Sequence, residues 1–193
     1  MGKILKGGSI MPAKTKQKLA DIAYEMFKEK DESEIGVREI CAKAGVTTGS
    51  FYHHFSDKYD VLAAKLDEHE SYFTDFPDKE FEGSTLDKIL FFLSDHMADI
   101  VLEDGLRITK IIYMTNSLSK RSSAGFTGTL SSLLESAYEA GEIKEGTDLE
   151  HYCNLLLMAF RGTVYAWCRT DGEFDLKETL REVIGIYLSN IKA

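Results

Sequence analysis

An all-α protein, with a small N-terminal head and a larger helical body, is the fold class this sequence predicts, on three observations. Only two prolines, Pro12 and Pro77, occur in 193 residues, so long stretches lack the residue that breaks helix interiors. Apolar residues recur at i, i+3, i+4 and i+7 in one segment after another, the spacing of a helix buried along one face. No stretch alternates convincingly with the two-residue period of a strand. About nine helices are expected, with no internal repeat among them.

Composition narrows the class further. The chain is 44% hydrophobic and 28% charged, as a globular protein is. No apolar run reaches the ~20 residues of a membrane span, and the N-terminus lacks an apolar stretch of signal-peptide length. Cys41, Cys153 and Cys168 are odd in number and scattered, so they read as reduced thiols in a cytoplasmic protein without a membrane partner. The net charge of −9 is unevenly spread: residues 1–58 hold ten Lys/Arg against eight Asp/Glu, and residues 59–193 hold thirteen against twenty-four. A mildly basic head on an acidic body points to a polyanion partner at the head alone.

Residues 1–12, "MGKILKGGSIMP", have no period and are expected to be a flexible arm. In the head, residues 13–58, the first helix carries the stripe Leu19, Ile22, Ala23, Met26 and Phe27. "VREICAKA" is a short second helix with Val37, Ile40, Cys41 and Ala44 inward. Gly45 follows where a positive φ ends a helix. Thr47 suits the N-cap of a third helix, anchored by Phe51 and Phe55. Ser56 is expected to cap the fourth. The body, residues 59–193, holds helices ending near Gly105, near "SKRSSAG", at Gly141 and at Gly172, and a last helix from "DLKETL" onward.

Two short helices joined by a glycine turn, preceded by a longer one, make a helix-turn-helix at about residues 36–55. Ile40, Ala44, Val46 and Phe51 fall at the crossing, with the small Ala42 near it. The second of the pair exposes Thr48, Gly49, Ser50, Tyr52 and His53, which are small or able to hydrogen-bond. Major-groove entry needs such a narrow, polar helix start, and free N–H groups there favour phosphate.

"VREICAKAGVTTGSFYHHFSDKYDVL" resembles the DNA-binding signature of the TetR family of bacterial regulators. Gly49, Phe51, Tyr52, Phe55 and Lys58 stand at the motif's positions, across roughly a quarter of the chain. The resemblance implies that Tyr52 and Lys58 contact phosphates with help from Thr47 and His53, and that Thr48, Gly49 and Ser50 lie nearest the base edges. Gly36 departs from the family's usual Ser or Thr, and Cys41 from its usual Ala. The reading positions hold no Arg, Asn or Gln, the strong readers of G and A, so specificity leans on Thr methyl contacts, water and DNA shape.

In the body, Ala159, Gly162, Thr163 and Ala166 form a small-residue stripe. With Leu180, Ile184 and Tyr187 of the last helix they are expected to form a homodimer interface. Phe92, His96, Tyr113, Met114, Phe126 and Met158 are candidates for a ligand cavity, with His96 and Tyr113 as its polar anchors. The expected function is a dimeric repressor that reads a palindromic DNA operator with the helix 47–55. The resemblance implies an inducer that binds the body and releases the DNA, and the aromatic and aliphatic candidates suggest that it is apolar or aromatic. The alternative is a helical small-molecule binder with weak or lost DNA readout. No nucleophile elbow, P-loop or H-E-x-x-H is present, so no enzyme and no cofactor is expected. His53 and His54 point ~100° apart on a helix and make no metal pair.

Overall fold

Pro12 does not belong to the expected arm: it opens helix α1 (Pro12–Glu29), at the position where a missing N–H is no loss. The computed structural model describes residues 12–66, 81–114 and 124–193, so the rest of the arm lies outside them. A 3-10 turn (Glu32–Glu34), α2 (Val37–Ala44), α3 (Thr48–His54) and α4 (Lys58–Leu66) follow. The chain divides into two units, Met1–Asp67 and Glu68–Ala193. The boundary expected after residue 58 therefore falls later, because α4 packs along α1.

In the first unit α1 is covered by α2, α3 and α4, so it buries a wider face than the expected stripe. Ala20 and Tyr24 join Leu19, Ala23, Met26 and Phe27 inside, while Ile22 is only half-buried. Ile40, Cys41, Ala44, Phe51, Phe55, Val61 and Leu62 complete this core. Ala42, assigned to the helix crossing, is exposed instead. Phe27 and Phe51 are fully enclosed, each worth about 1.5–3 kcal/mol against exposure.

The second unit begins with α5 (Thr85–Phe91), capped reciprocally by Ser84 and Asp87. It runs through a π-helical segment (Phe92–His96) into α6 (Met97–Met114). The helix expected to stop near Gly105 breaks there, at φ 78 and ψ 164, backbone open essentially to glycine alone. Thr109 Oγ1 donates to the Gly105 carbonyl at 2.9 Å and also reaches the Val101 carbonyl, one turn before the break, at 3.3 Å. Then come α7 (Ala124–Glu139), α8 (Leu149–Arg169) and α9 (Leu176–Ile191). Asp148 and Asp175 cap the last two by accepting the N–H of His151 and of Glu178.

The neighbours are α5 with α7 and α9, α6 with α8, and α8 with both α7 and α9. Their shared core includes Ile89, Phe92, Leu93, Leu130, Leu134, Leu156, Phe160, Val164, Leu180 and Ile184. Glu142 reaches across to α5, and its two carboxylate oxygens accept the N–H groups of Thr85 and Leu86 at 2.9 Å each. Trp167 is 7% exposed. Gly172 closes over it, a Cβ there lying 3.4 Å from the indole, and Lys110 of α6 pairs with the adjoining Asp171. Among the described residues the β-type pairing is one isolated bridge, Ile143 with Lys192, and no helix is long and apolar enough to cross a membrane.

Candidate functional site

Gly45 ends α2 at φ 67 and ψ 33, the left-handed conformation in which a Cβ is strained. The N–H groups of Gly45 and Val46 turn back to the carbonyls of Ala42 and Cys41. The chain then re-enters helix at Thr47, whose Oγ1 accepts the Ser50 N–H at 3.1 Å. That is the expected N-cap. The other free N–H groups of α3 and its positive dipole end are left for an outside anion.

Phe51 and Phe55 hold α3 from below, buried and 5.6 Å apart between ring centres. The opposite face presents Thr47, Thr48, Gly49, Tyr52 and His53, all exposed, with Ser50 half-buried beside them. Tyr52 is 60% exposed, and its ring meets Phe51 edge-on at 5.4 Å. The ring is therefore steadied while most of the side chain faces outward. The structure brings together six of the seven residues picked out for DNA.

Lys58 is the seventh, and it points elsewhere. Its ammonium donates to the carbonyl of Glu32 and, at 3.2 Å, to that of Ile35. It is partly buried against its own chain, where a flexible cation reaches two carbonyls, that of Glu32 also accepting the Ile35 N–H. The cap of α4 also shifts by one residue from the expected Ser56. Asp57 Oδ1 accepts the N–H groups of Tyr59 and Asp60 at 2.8 Å each, while Ser56 donates to Asp60. Gly36 stands at the N-cap of α2 with no side-chain cap, as its lack of a hydroxyl requires.

Lys16, which the motif does not single out, also lies near the end of α3. Its ammonium lies 6.0 Å from the Phe55 ring centre, which brings the lysine-rich start of α1 beside the exposed helix. The excess of lysine in the first twenty residues was the signal for it.

In the second unit the expected cavity residues separate. Phe92 stacks with His96 at 6.0 Å and meets Phe126 at 5.7 Å, and Phe126 meets Phe160 at 5.3 Å. These form one aromatic row. Tyr113 lies on α6 instead. Burial pushes its phenol well above the ordinary range, Arg161 opposing this and Cys168 and Asp104 adding to it. Met158 is 69% exposed and lines no interior: its position on α8 faces away from the neighbours that cover Leu157 and Phe160. The side chain of Met114 lies outside the described residues.

The residues of the expected dimer face divide between the core and the surface of the chain. Leu180 and Ile184 are fully buried within the single chain, and Thr163 is 8% exposed, since α9 turns its strongest apolar stripe onto α8 and the π segment. Ala159 and Tyr187 are half-buried and pack against that core. Gly162 and Ala166 do face outward. Beside them on α8 stand Met158 and Tyr165, and on α9 Ile186 is 57% exposed.

The model of the family described as "Bacterial regulatory proteins, tetR family" matches residues 19–64, the span from α1 to α4. The fatty acid metabolism regulator protein of Bacillus subtilis (strain 168) is 24% identical over 181 residues, covering 90% of this chain and 93% of that protein. The transcriptional regulator SrpR of Pseudomonas putida is 27% identical over 165 residues, 81% of this chain and 76% of its own length. Among solved structures, Bacillus subtilis FadR in complex with stearoyl-CoA is similar with a TM-score of 0.70 and 22% identity, over 91% of this chain and 98% of that one. Thermus thermophilus FadR in complex with lauroyl-CoA gives a TM-score of 0.70 and 18% identity, over 90% and 93%. Residues 19–64 thus match the tetR family of bacterial regulatory proteins, and the fold of the whole chain is shared with transcriptional regulators of that kind.

Proposed function

We propose that this regulator is a homodimeric repressor that reads a palindromic operator with α3 and is released by a small apolar effector held in the second unit. The observation that carries the reading is the exposed row Thr47, Thr48, Gly49, Tyr52 and His53 on a helix anchored from behind by Phe51 and Phe55. Thr48, Gly49 and Ser50 offer methyl, bare backbone and hydroxyl to base edges, while Tyr52, Thr47, His53 and Lys16 are placed for phosphates.

Two such heads are needed for a palindrome. The outward patch of Met158, Gly162, Tyr165, Ala166 and Ile186 is the surface we assign to the second copy. Small residues let helices approach closely there, and the flanking aromatic and aliphatic groups supply apolar area.

For the effector, the aromatic row from Phe92 to Phe160 supports an apolar molecule, with His96 at its polar end. Two proteins of this fold hold stearoyl-CoA and lauroyl-CoA, so a long-chain acyl thioester is the first class to test.

Selection of bound sequences from a random DNA pool, followed by affinity across a salt series, tests the reading. An enriched palindrome, with affinity falling steeply as salt rises, is the expected result, and acyl-CoA should then lower affinity for the winner. A pool that yields no enriched sequence removes the operator reading. Unchanged operator affinity across acyl chain lengths removes the effector class.

A further inference from the structure

The start of α4 and the turn before α2 are fastened to each other at three points. Lys58 donates to the carbonyls of Glu32 and Ile35. The Tyr59 hydroxyl donates to Glu32 Oε2 at 3.3 Å, and the Tyr59 ring stacks on Phe27 at 6.2 Å. The turn so gripped leads within one residue of Ile35 to Gly36, the N-cap of α2, which has no side chain to hold the helix entry. What a Ser or Thr hydroxyl does locally at a helix start is therefore done here from α4, across more than twenty residues of sequence.

We propose that Lys58 is a positioning residue for the DNA-reading pair of helices. It clasps the entry of α2 to the first turn of α4, so that α2 and the α3 it carries follow α4 as one piece. The idea rests on α3 being the reading helix. It assigns Lys58 no phosphate, since two of its three N–H donors are directed at carbonyls of its own chain. A shift of α4's first turn then moves the entry of α2 directly, with no slack.

The full chain with Lys58→Met is the test, read in two ways. In hydrogen exchange without DNA, amides of residues 34–40 should exchange about tenfold faster or more than in the unaltered chain, because losing a charge-assisted hydrogen bond is worth at least that factor. Against the selected operator, affinity should fall about tenfold while the slope of log affinity against log salt stays the same. A lost phosphate contact would instead flatten that slope by about 0.9.

Unchanged exchange across residues 34–40, or a flattened slope, overturns the proposal. If the unaltered chain binds no DNA but exchange still accelerates, the clasp stands and the operator reading fails. Should Lys58→Met not fold, Tyr59→Phe removes only the Glu32 contact. It must then speed exchange at Glu34 and Ile35 while leaving the salt slope alone, and failure to do so sinks the clasp as well.

Discussion

A Cβ built on Gly49 would lie 3.7 Å from Thr47 Oγ1, an ordinary contact, so nothing in the folded chain demands glycine there. Gly49→Ala should therefore raise the melting temperature, helix propensity favouring it by roughly 0.5–1 kcal/mol. If α3 enters a groove as proposed, the same change should weaken operator binding about tenfold or more, because the added methyl stands where a base edge must approach. Thermal unfolding and operator titration of one variant separate the two effects, and unimpaired binding would argue against close approach at Gly49. Tyr52→Phe should weaken all DNA sequences alike, whereas changes at Thr48 or Ser50 should alter which sequence is preferred, as repeated selection would reveal. At Gly36 a Cβ meets nothing within 4 Å, and φ is −109°. Gly36→Ser should supply the missing cap and stabilise the chain by a few tenths of a kcal/mol, measurable by chemical denaturation. Gly45 and Thr47 were legible in the sequence because a left-handed turn and an N-cap are local chemistry. Lys58 was not, because its partners are backbone carbonyls 23 and 26 residues away, and no spacing rule sees them.

At the level of elements, the start of α5 depends on a carboxylate supplied by the connection between α7 and α8. Burial raises the affinity of Glu142 for its proton, but the N–H groups of Thr85 and Leu86 together outweigh it and leave its pKa below the ordinary value. Asp87 is lowered likewise by Ser84. Groups lowered on folding stabilise the protein fully above their unfolded range, and that contribution disappears as pH falls through the folded values. The second unit should thus lose stability on acidification from just above the ordinary carboxylate range downward. Glu142→Gln should flatten that acid limb and cost about 1–3 kcal/mol at neutral pH, as melts across a pH series would register; an unaltered acid limb would exclude Glu142 as its source. The helical period predicted α5, α6, α8 and α9 well, since each has one clear apolar stripe. It did not announce the π segment at Phe92–His96, which is a change in backbone pairing that leaves the apolar pattern intact. It also placed the α4 cap on Ser56 instead of Asp57, adjacent residues of equal capping chemistry that only the fold distinguishes.

For the molecule as a whole, the question left open by periodicity is what covers each stripe. Leu180 and Ile184 were assigned to a partner because their spacing marks a buried face. Spacing is silent on whether that face meets the same chain or another, and here it meets α8. The two faces of α9 therefore predict opposite outcomes. Ile186→Glu should yield monomers in light scattering with little change in the unfolding of the single chain. Leu180→Ala should cost about 2–5 kcal/mol of core stability whatever the subunit count. A dimer unaffected by Ile186→Glu would place its interface elsewhere. Trp167, under Gly172 and next to the Lys110–Asp171 pair, has one more consequence. It is the only tryptophan in the chain, so the protein's indole emission comes from a single fluorophore in the second unit. Displacement of α6 would pull on Asp171, open the cover over the ring and shift its colour, which gives an unlabelled optical gauge of the second unit while the first, which has no indole, stays dark.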